Sequence, residues 1–492
     1  MIPAIAYLPL LLVALGTVPV VVSFLQFLLV GLHASRHRLS DCRDYTPRVA
    51  FIVPAWNEGP SLGATIDALM AQSYPKDAVR VYVVDDASTD ETPQLLREKT
   101  ARYPGAVFHL RRQQGGQGKS HTLNHGLQVV LDEDWAQAIM IMDADVLFEP
   151  LTLRRMARHL ADPGVGAVTA YIKEGSQPDN VVCRFIAFEY ITAQAAARRS
   201  QNVAGALACL AGGAQLHSRE NMLAIGGRID TTSLAEDTFT TFRTQLGGRR
   251  AVFDGNAVVW AEEPGSLTAL WKQRLRWARG NLQLSAAYRH LWFRPGLHRG
   301  LGGFWFGLVF FSIVSMPLLM IGSSIGLLWL DAIAPDLARN AFSGLWITTF
   351  LVYLFVTGFS FVIDPATARR AWFEGFAYPG LITLGIMVLF GLPPQWISLW
   401  PAPQANPAAA RLFDALRIFV FCWTSLCMLA AWGVYRLDRA GAPHWLRDGL
   451  LLLVGYGPFN CAVAFAAMVA EWRKAEMRWD KTPKTGKGTI LK

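Results

Sequence analysis

Residues 138–150 read AIMIMDADVLFEP, an apolar run that stops at two aspartates one residue apart. An uncharged run of this kind suits a β-strand covered on both faces. Alternation along such a strand puts Asp143 and Asp145 on one side. Two hard carboxylates there can share one Mg²⁺ or Mn²⁺, and an ion so held can bridge a diphosphate and neutralise the charge on a departing nucleotide. An aspartate pair at a turn is also an ordinary surface feature, so the reading depends on its surroundings.

Those surroundings alternate strand and helix. VAFIVPA (49–55), VRVYVVDD (79–86), AVFHL (106–110) and VGAVTAY (165–171) read as strands. NEGPSLGATIDALMAQSY (57–74) and STDETPQLLREKTARY (88–103) read as helices, the second with Ser88 and Thr89 as N-cap candidates and Glu91 in its first turn. The βαβαβ order predicts an α/β domain on a mostly parallel, Rossmann-like sheet, with ligands at the carboxyl ends of the strands. There Asp85 and Asp86 can accept hydrogen bonds from a ribose or base, and Pro54 turns the first strand so that Ala55 and Glu58 face the same cleft. Helix capping is the plainer use of these acids.

Two further stretches carry candidate chemistry. QQGGQGKSHTLNHGL (113–127) lacks the P-loop spacing G-x-x-x-x-G-K-[ST]. Even so, Gly116 and Gly118 allow close backbone approach to a ligand while Lys119 supplies a cation. In RIDTTSLAEDTFTTFRTQLGGR (228–249), Glu236 and Asp237 precede a helix TFTTFRTQL. A carboxylate in that place serves either as N-terminal helix charge or as a general base for an incoming hydroxyl.

The whole chain looks like a membrane protein. It has 492 residues, of which 52% are hydrophobic, and a mean hydropathy of +0.26, above the usual range of soluble enzymes. A net charge of +9, concentrated in Arg-rich junctions beside apolar runs, suits anionic lipid headgroups. No nucleic-acid motif accompanies it, and no such partner is expected. Six scattered cysteines show neither C-x-x-C nor zinc spacing, as befits reduced thiols.

Residues 1–35 contain no Asp, Glu, Lys or Arg and read as a transmembrane helix. The basic HASRHR (33–38) follows it, which puts the amino terminus outside and residue 36 onward in the cytosol. Residues 36–300 then form the cytosolic domain, 301–470 a membrane region, and 471–492 a basic cytosolic tail. The membrane region holds apolar stretches near 303–330, 341–363, 375–399, 412–435 and 447–470. Five crossings would put the tail outside, against its seven Lys/Arg and three acids. About four spans and one broken or interfacial segment are therefore expected. The candidates for the latter are 375–399, with Pro393-Pro394, and 447–470, with GYGPFN. PAPQANPAAA (401–410) reads as a loop.

Just before the membrane region lies WKQRLRWARG (271–280). On a helix Gln273 and Trp277 share one face, and Lys272, Arg276 and Arg279 another. A guanidinium can grip a diphosphate with two parallel hydrogen bonds, and an indole can stack on a sugar ring. A helix lying on a bilayer would use the same residues for lipid.

Taken together, VPAWNE, VVDDAST, GKS, MDAD, AED and QRLRW, in this order between membrane segments, resemble the membrane-embedded family 2 glycosyltransferases. The resemblance is greatest to polymerising members, the bacterial poly-N-acetylglucosamine synthases, with hyaluronan, chitin and cellulose synthases further off. It covers residues 45–300 well and the membrane region only in layout. It implies a GT-A fold in a multi-pass protein of the cell membrane. The implied reaction is inverting, Mg²⁺- or Mn²⁺-dependent transfer of a sugar, N-acetylglucosamine foremost, from a UDP-sugar to a growing β-linked polysaccharide. The implied reaction is processive and coupled to export, and it leaves room for a small accessory membrane subunit.

By the same resemblance Asp86, with Ala55, Glu58 and Lys119, holds the uridine nucleotide, and Asp143 and Asp145 bind metal and diphosphate. Asp237, as the last acid of T-E-D, is the base. In Q-x-x-R-W, Arg276 contacts the diphosphate, while Gln273 and Trp277 serve the acceptor, the Trp from beneath its sugar. CLAGGAQLHSREN (209–221) lines the acceptor path. Two positions depart from the pattern: Ala235 replaces the usual Thr of T-E-D, and Ala87 stands where many members have Gly. Competing readings are a non-processive transferase acting on a lipid, a β-glucan synthase, and a transporter or scaffold with an inactive transferase domain. Intact MDAD and AED speak against the last.

Overall fold

The computed structural model describes residues 4–36, 42–391, 407–477 and 488–490. The chain forms two compact units. A sheet unit comprises Leu29–Gly265, Gly280–Gly307 and Glu476–Lys492, and a helical unit comprises Met1–Leu28, Ser266–Arg279 and Leu308–Ala475.

The sheet unit is built on eight strands: β1 (Val49–Ala55), β2 (Val79–Asp85), β3 (Val107–Arg111), β4 (Ala138–Ile141), β5 (Val146–Phe148), β6 (Val165–Glu174), β7 (Gln215–Ser218) and β8 (Arg250–Ala261). Their order is β3-β2-β1-β4-β7-β6-β8-β5. Pairs β1/β2, β2/β3, β1/β4 and β6/β8 are parallel, whereas β7 runs antiparallel to β4 and β6, and β5 to β8. The mostly parallel α/β sheet expected from the sequence is present, with β7 and β5 as reversed insertions.

Central strands read as unbroken apolar runs because helices cover both faces. Phe51, Ile52, Val53, Val81, Val83, Ile139 and Met140 are completely buried. Each large side chain so placed contributes about 1.5–3 kcal/mol relative to exposure. The helix Lys119–Asp132 lies on this sheet at Gly126, where an added Cβ would meet Ile52 Cγ2 at 2.7 Å and Val84 Cγ2 at 2.8 Å. That close approach sets the start of the helix, and hence Lys119, at the carboxyl edge of the sheet. Ala55 and Asp85 end β1 and β2 in register at that edge.

Two local expectations change. β4 stops at Ile141, so Asp143 and Asp145 occupy the turn before β5 and do not alternate along a strand. The second helix begins only at Thr92, whose N–H donates to Asp90 Oδ1 at 3.0 Å, while the N-cap residue Glu91 makes no side-chain cap bond. Ser88 is drawn elsewhere: its Oγ accepts from Asn57 N at 2.9 Å and its own N–H donates to Asp85 Oδ1 at 2.8 Å.

In the helical unit Met316–Ile333, Pro335–Ile363 and Arg411–Arg439 are long and apolar enough to cross a bilayer. Two bent pairs meet the same test together, giving up to five spans by length and composition. The single amino-terminal helix expected over residues 1–35 is one of these pairs, Tyr7–Gly16 and Val18–Ala34, bent by 40°. Pro19, without an N–H, sits at the start of its second half. The other pair, His444–Val454 and Tyr456–Trp472, bends by 90°. Gly455 makes this bend at φ +107°, against Gly380 and Pro379, in the GYGPFN stretch where interruption was expected. The other suspect is a short helix, Leu381–Gly391, among the described residues. Pro393-Pro394, the loop at 401–406 and most of the basic tail lie outside them.

Candidate active site

At the carboxyl edge of the sheet, paired acids on β2 face paired arginines that continue β3. Asp85 and Arg111 are register partners, and Arg111 Nη1 donates to Asp85 Oδ2 at 2.8 Å. His109 Nε2 lies 3.3 Å from the same oxygen. Burial opposes the ionised form of Asp85, yet these contacts and Ser88 outweigh it and hold the carboxyl below the ordinary aspartate range. Asp85 is wholly buried and fastens the loop. Asp86 is also buried; Arg112 Nη1 donates to its Oδ1, and the Gly116 N–H to its Oδ2 at 2.9 Å. The glycine-rich loop thus folds over Asp86. A Cβ at Gly115 would strike the Asp86 carbonyl at 2.2 Å. Its partner Arg112 went unremarked in the sequence, although DD and RR at the ends of adjacent strands are the signal that places it.

Ala55, buried at the end of β1, accepts from Asp86 N through its carbonyl at 2.8 Å. Glu58 precedes the helix Gly59–Met70, with its N–H on Thr92 Oγ1 at 3.0 Å. Asn57 and Ala87 adopt left-handed backbone at φ +54° and +57°. Asn tolerates this through its side chain, here accepting from Thr89 N at 2.9 Å. Ala87 has no such compensation, which explains why glycine suits that position.

Three motifs meet at Lys119. Its Nζ lies 2.6 Å from Asp143 Oδ1 and 3.5 Å from Glu236 Oε1, with Asp237 in electrostatic reach. Desolvation favours the neutral amine, but Asp143, Glu236 and Asp237 outweigh it and raise the Lys119 pKa above the ordinary lysine value. Glu236 and Asp237 occupy the first turn of the helix Glu236–Leu246, and Thr238 N donates to Asp237 Oδ1 at 2.7 Å. The segment before β7 is tied to this helix by Leu210 N on Thr241 Oγ1 at 2.8 Å and Leu207 N on Gln245 Oε1 at 2.9 Å. Gly212 therefore closes over the cluster: an added Cβ would lie 3.2 Å from Lys119 Nζ and 3.4 Å from Asp237 Oδ2. One at Gly213 would lie 4.0 Å from Asp143 Oδ2.

Residues 47–280 match the family model described as "Glycosyltransferase like family 2". Residues 47–280 are thus similar to the family 2 glycosyltransferases. A Rhizobium N-acetylglucosaminyltransferase is 26% identical over 358 residues, 70% of this chain and 74% of that protein. A Staphylococcus aureus poly-β-1,6-N-acetyl-D-glucosamine synthase is 27% identical over 235 residues (47% of this chain, 54% of that protein). A Synechocystis β-monoglucosyldiacylglycerol synthase is 30% identical over 237 residues (48% of each). Apart from the Rhizobium protein, the chain spans about half the length of these curated relatives. Among solved structures, a Pyrobaculum calidifontis mannosyltransferase in complex with GDP-Man and Mn²⁺ superposes with a TM-score of 0.54 at 23% identity, over 74% of this chain and 99% of that one. The likeness identifies the sheet unit as a GT-A-type fold.

Within the matched region, Asp86, Lys119, Asp143, Asp145 and Asp237 belong to the sheet unit, and Gln273, Arg276 and Trp277 to the helical unit. The latter three ride on the helix Leu267–Ala287. Its start is capped by Asp438 Oδ2, which accepts from Thr268 N at 2.7 Å, and Trp271 stacks on Tyr435 with centroids 4.2 Å apart. Trp277 is 37% exposed, with the Arg274 guanidinium 4.1 Å from its ring centroid.

Lys272, on the same helix face as Arg276 and Arg279, is exposed, but Arg279 is not. Arg279 is buried, its Nε 2.5 Å from Glu471 Oε1 and its Nη2 2.7 Å from the Ala475 carbonyl. A desolvated guanidinium needs such partners, so Arg279 anchors helices to one another. Ala235 caps nothing with its side chain; it packs where a Cβ on Gly280 would approach it to 2.5 Å. Alanine in place of threonine leaves room for that contact.

Proposed function

We propose that the protein is an inverting, divalent-metal-dependent glycosyltransferase that passes N-acetylglucosamine from UDP-N-acetylglucosamine to a growing β-linked polysaccharide. In this reading it is processive, embedded in the cell membrane with its transferase domain in the cytosol, and delivers the chain outward. The observation that carries the proposal is Lys119, held between Asp143 of MDAD and Glu236 of AED with Asp237 beside it. A cation whose side chain is only 10% exposed, set between the motif proposed to bind the diphosphate and the motif proposed to hold the base, supports this reading.

Asp237 takes the proton of the acceptor hydroxyl as that oxygen attacks the anomeric carbon from the face opposite the nucleotide. Lys119 and Arg276 offset the charge that develops on the departing diphosphate. Glu58 and Asp86 hold the nucleoside end, the latter with Arg112 as its partner. Gln273 and Trp277 seat the acceptor sugar.

Asp143 and Asp145 are the residues that would hold a divalent ion. Among the described residues no cluster of three or more His, Cys, Asp or Glu is disposed to bind a metal. Two hard oxygen donors suit an ion that completes its shell with diphosphate oxygens and water. Bound there, it would supply Lewis-acid stabilisation of the leaving diphosphate. The Mn²⁺ in the Pyrobaculum neighbour supports this reading.

The Rhizobium and staphylococcal relatives favour N-acetylglucosamine; the Synechocystis relative favours a lipid acceptor and single transfer. One experiment separates them: full chain in detergent, offered UDP-GlcNAc, UDP-Glc, UDP-GlcA or GDP-Man with Mg²⁺ or Mn²⁺, scored for nucleotide release and product length. Polymer from UDP-GlcNAc is expected, with loss of transfer in Asp237→Asn and Arg276→Ala and little change in Lys272→Ala. Monoglycosylated lipid as sole product, or transfer that survives Asp237→Asn, would overturn the proposal.

A further inference from the structure

Outside the motifs used above, the sheet unit brings a cysteine, a histidine and an aspartate into line. Cys42 Sγ lies 3.7 Å from His159 Nδ1, and His159 Nε2 lies 3.0 Å from Asp254 Oδ2. The sequence separations are 117 and 95 residues, so only the fold brings the three together.

Each member is held. Asp254 belongs to β8; its side chain is 1% exposed, and its Oδ1 accepts from Asn256 N at 2.9 Å, which leaves Oδ2 for the imidazole. A carboxylate only accepts, so His159 Nε2 donates to it and Nδ1 is turned towards the thiol. His159 closes the helix Thr152–His159, where the carbonyl dipoles favour a positive charge. The segment around Cys42 is tied to the same helix: Arg158 Nη2 donates to the Cys42 carbonyl at 3.4 Å, and Arg154 Nη2 to Asp44 Oδ2 at 2.6 Å.

A nucleophile within reach of a base, with the base oriented by a buried acid, is the arrangement that activates a thiol. Transfer of the Cys42 proton to Nδ1 sets a thiolate against an imidazolium, which Asp254 and the helix end stabilise. The other charges around the pair are Arg158, the exposed Arg43, and Asp44 with Arg154, which offset one another; the excess is positive and favours the thiolate. Cys42 is half-buried and the His159 side chain is 15% exposed, so the sulfur is open to small reagents. The other cysteines of this unit are placed differently. Cys183 is wholly buried, which pushes its thiol up to about 12, and Cys209 Sγ donates to the Leu210 carbonyl at 3.2 Å.

We propose that Cys42 is a modification site, a thiolate generated by His159 and Asp254 that reacts with small hydroperoxides. The sulfur attacks the hydroxyl oxygen of the peroxide; an S–O bond forms and the O–O bond breaks. Sulfur loses two electrons, the peroxide gains them, and the departing oxygen takes the proton that His159 holds. The products are a Cys42 sulfenic acid and an alcohol or water. A hydroperoxide fits because its leaving oxygen needs that proton and because it is small enough for a half-buried sulfur. Sugar transfer plays no part in this reaction.

Full-length protein in detergent is treated with hydrogen peroxide and dimedone, which traps sulfenic acids, and adducts are mapped by peptide mass spectrometry. Iodoacetamide alkylation between about pH 6 and 9 measures the thiolate without an oxidant. Cys42 should form the dimedone adduct about 10- to 100-fold faster than Cys183 or Cys209, and His159→Gln and Asp254→Asn should slow both reactions of Cys42 by about 10-fold or more with an unchanged melting transition. If neither variant folds, the parent decides: at about pH 6 its native Cys42 should be alkylated about 10-fold faster than in the urea-unfolded chain, where the thiol is almost wholly protonated. A native rate no greater than the unfolded rate, or equal rates in the parent and a folded His159→Gln protein, would overturn the assignment. Rapid alkylation with no dimedone adduct would overturn the hydroperoxide as its reactant.

Discussion

Replacing Lys119 by methionine tests the centre of the site most directly. Methionine keeps the length and apolar stem but deletes the charge that lies 2.6 Å from Asp143 and 3.5 Å from Glu236. At an effective dielectric of about 20, one unit charge pair near 4 Å is worth about 4 kcal/mol. Because the Asp143 side chain is 40% exposed, solvent screens that pair, and about 1.5–3 kcal/mol, the range of a charge-assisted hydrogen bond, is at stake. If all of it applies to the transition state, transfer falls by roughly 10- to 150-fold. The assay is nucleotide release at saturating donor, beside thermal melting to confirm folding. A Lys119→Met protein within threefold of the parent would refute the reasoning.

Three smaller perturbations follow from other positions. Gly212→Val should reduce kcat by about 100-fold with little change in melting temperature, because its side chain would displace Lys119 and Asp237, and misplacement of about 1 Å costs that much. Ala87→Gly should stabilise the domain by about 0.5–1 kcal/mol, read as a higher melting temperature, because φ +57° strains alanine and not glycine. His217 is wholly buried, and desolvation lowers its pKa to about 3. The unfolded chain therefore binds a proton near pH 6.5 that the folded chain refuses. Stability is complete above that pH and falls by about 2 kcal/mol on going to pH 5. His217→Gln should flatten that slope in urea titrations at pH 7 and pH 5; parallel behaviour of the two proteins would exclude His217 as its source.

β5, β7 and β8 emerge only in the folded chain, but the sequence alone determined β1 to β4, β6, the parallel core of the sheet and the long apolar helices. These follow from hydrophobic period and run length, which are local properties: VAFIVPA and VRVYVVD could hardly be anything but buried strands. It also marked Asp86, Lys119, Asp143 and Asp237, because charge at the end of an apolar strand or the start of a helix is conspicuous without coordinates. Their company was decided only by tertiary structure. Lys119 and Glu236 lie over a hundred positions apart, and their pairing depends on Gly126 letting one helix down onto the sheet and on Thr241 and Gln245 drawing in the segment at 207–213. Burial did the rest. It made Arg279 a helix anchor and Asp85 a loop fastener, distinctions that no local pattern of charge encodes, because the cost of a charge depends on what surrounds it in space.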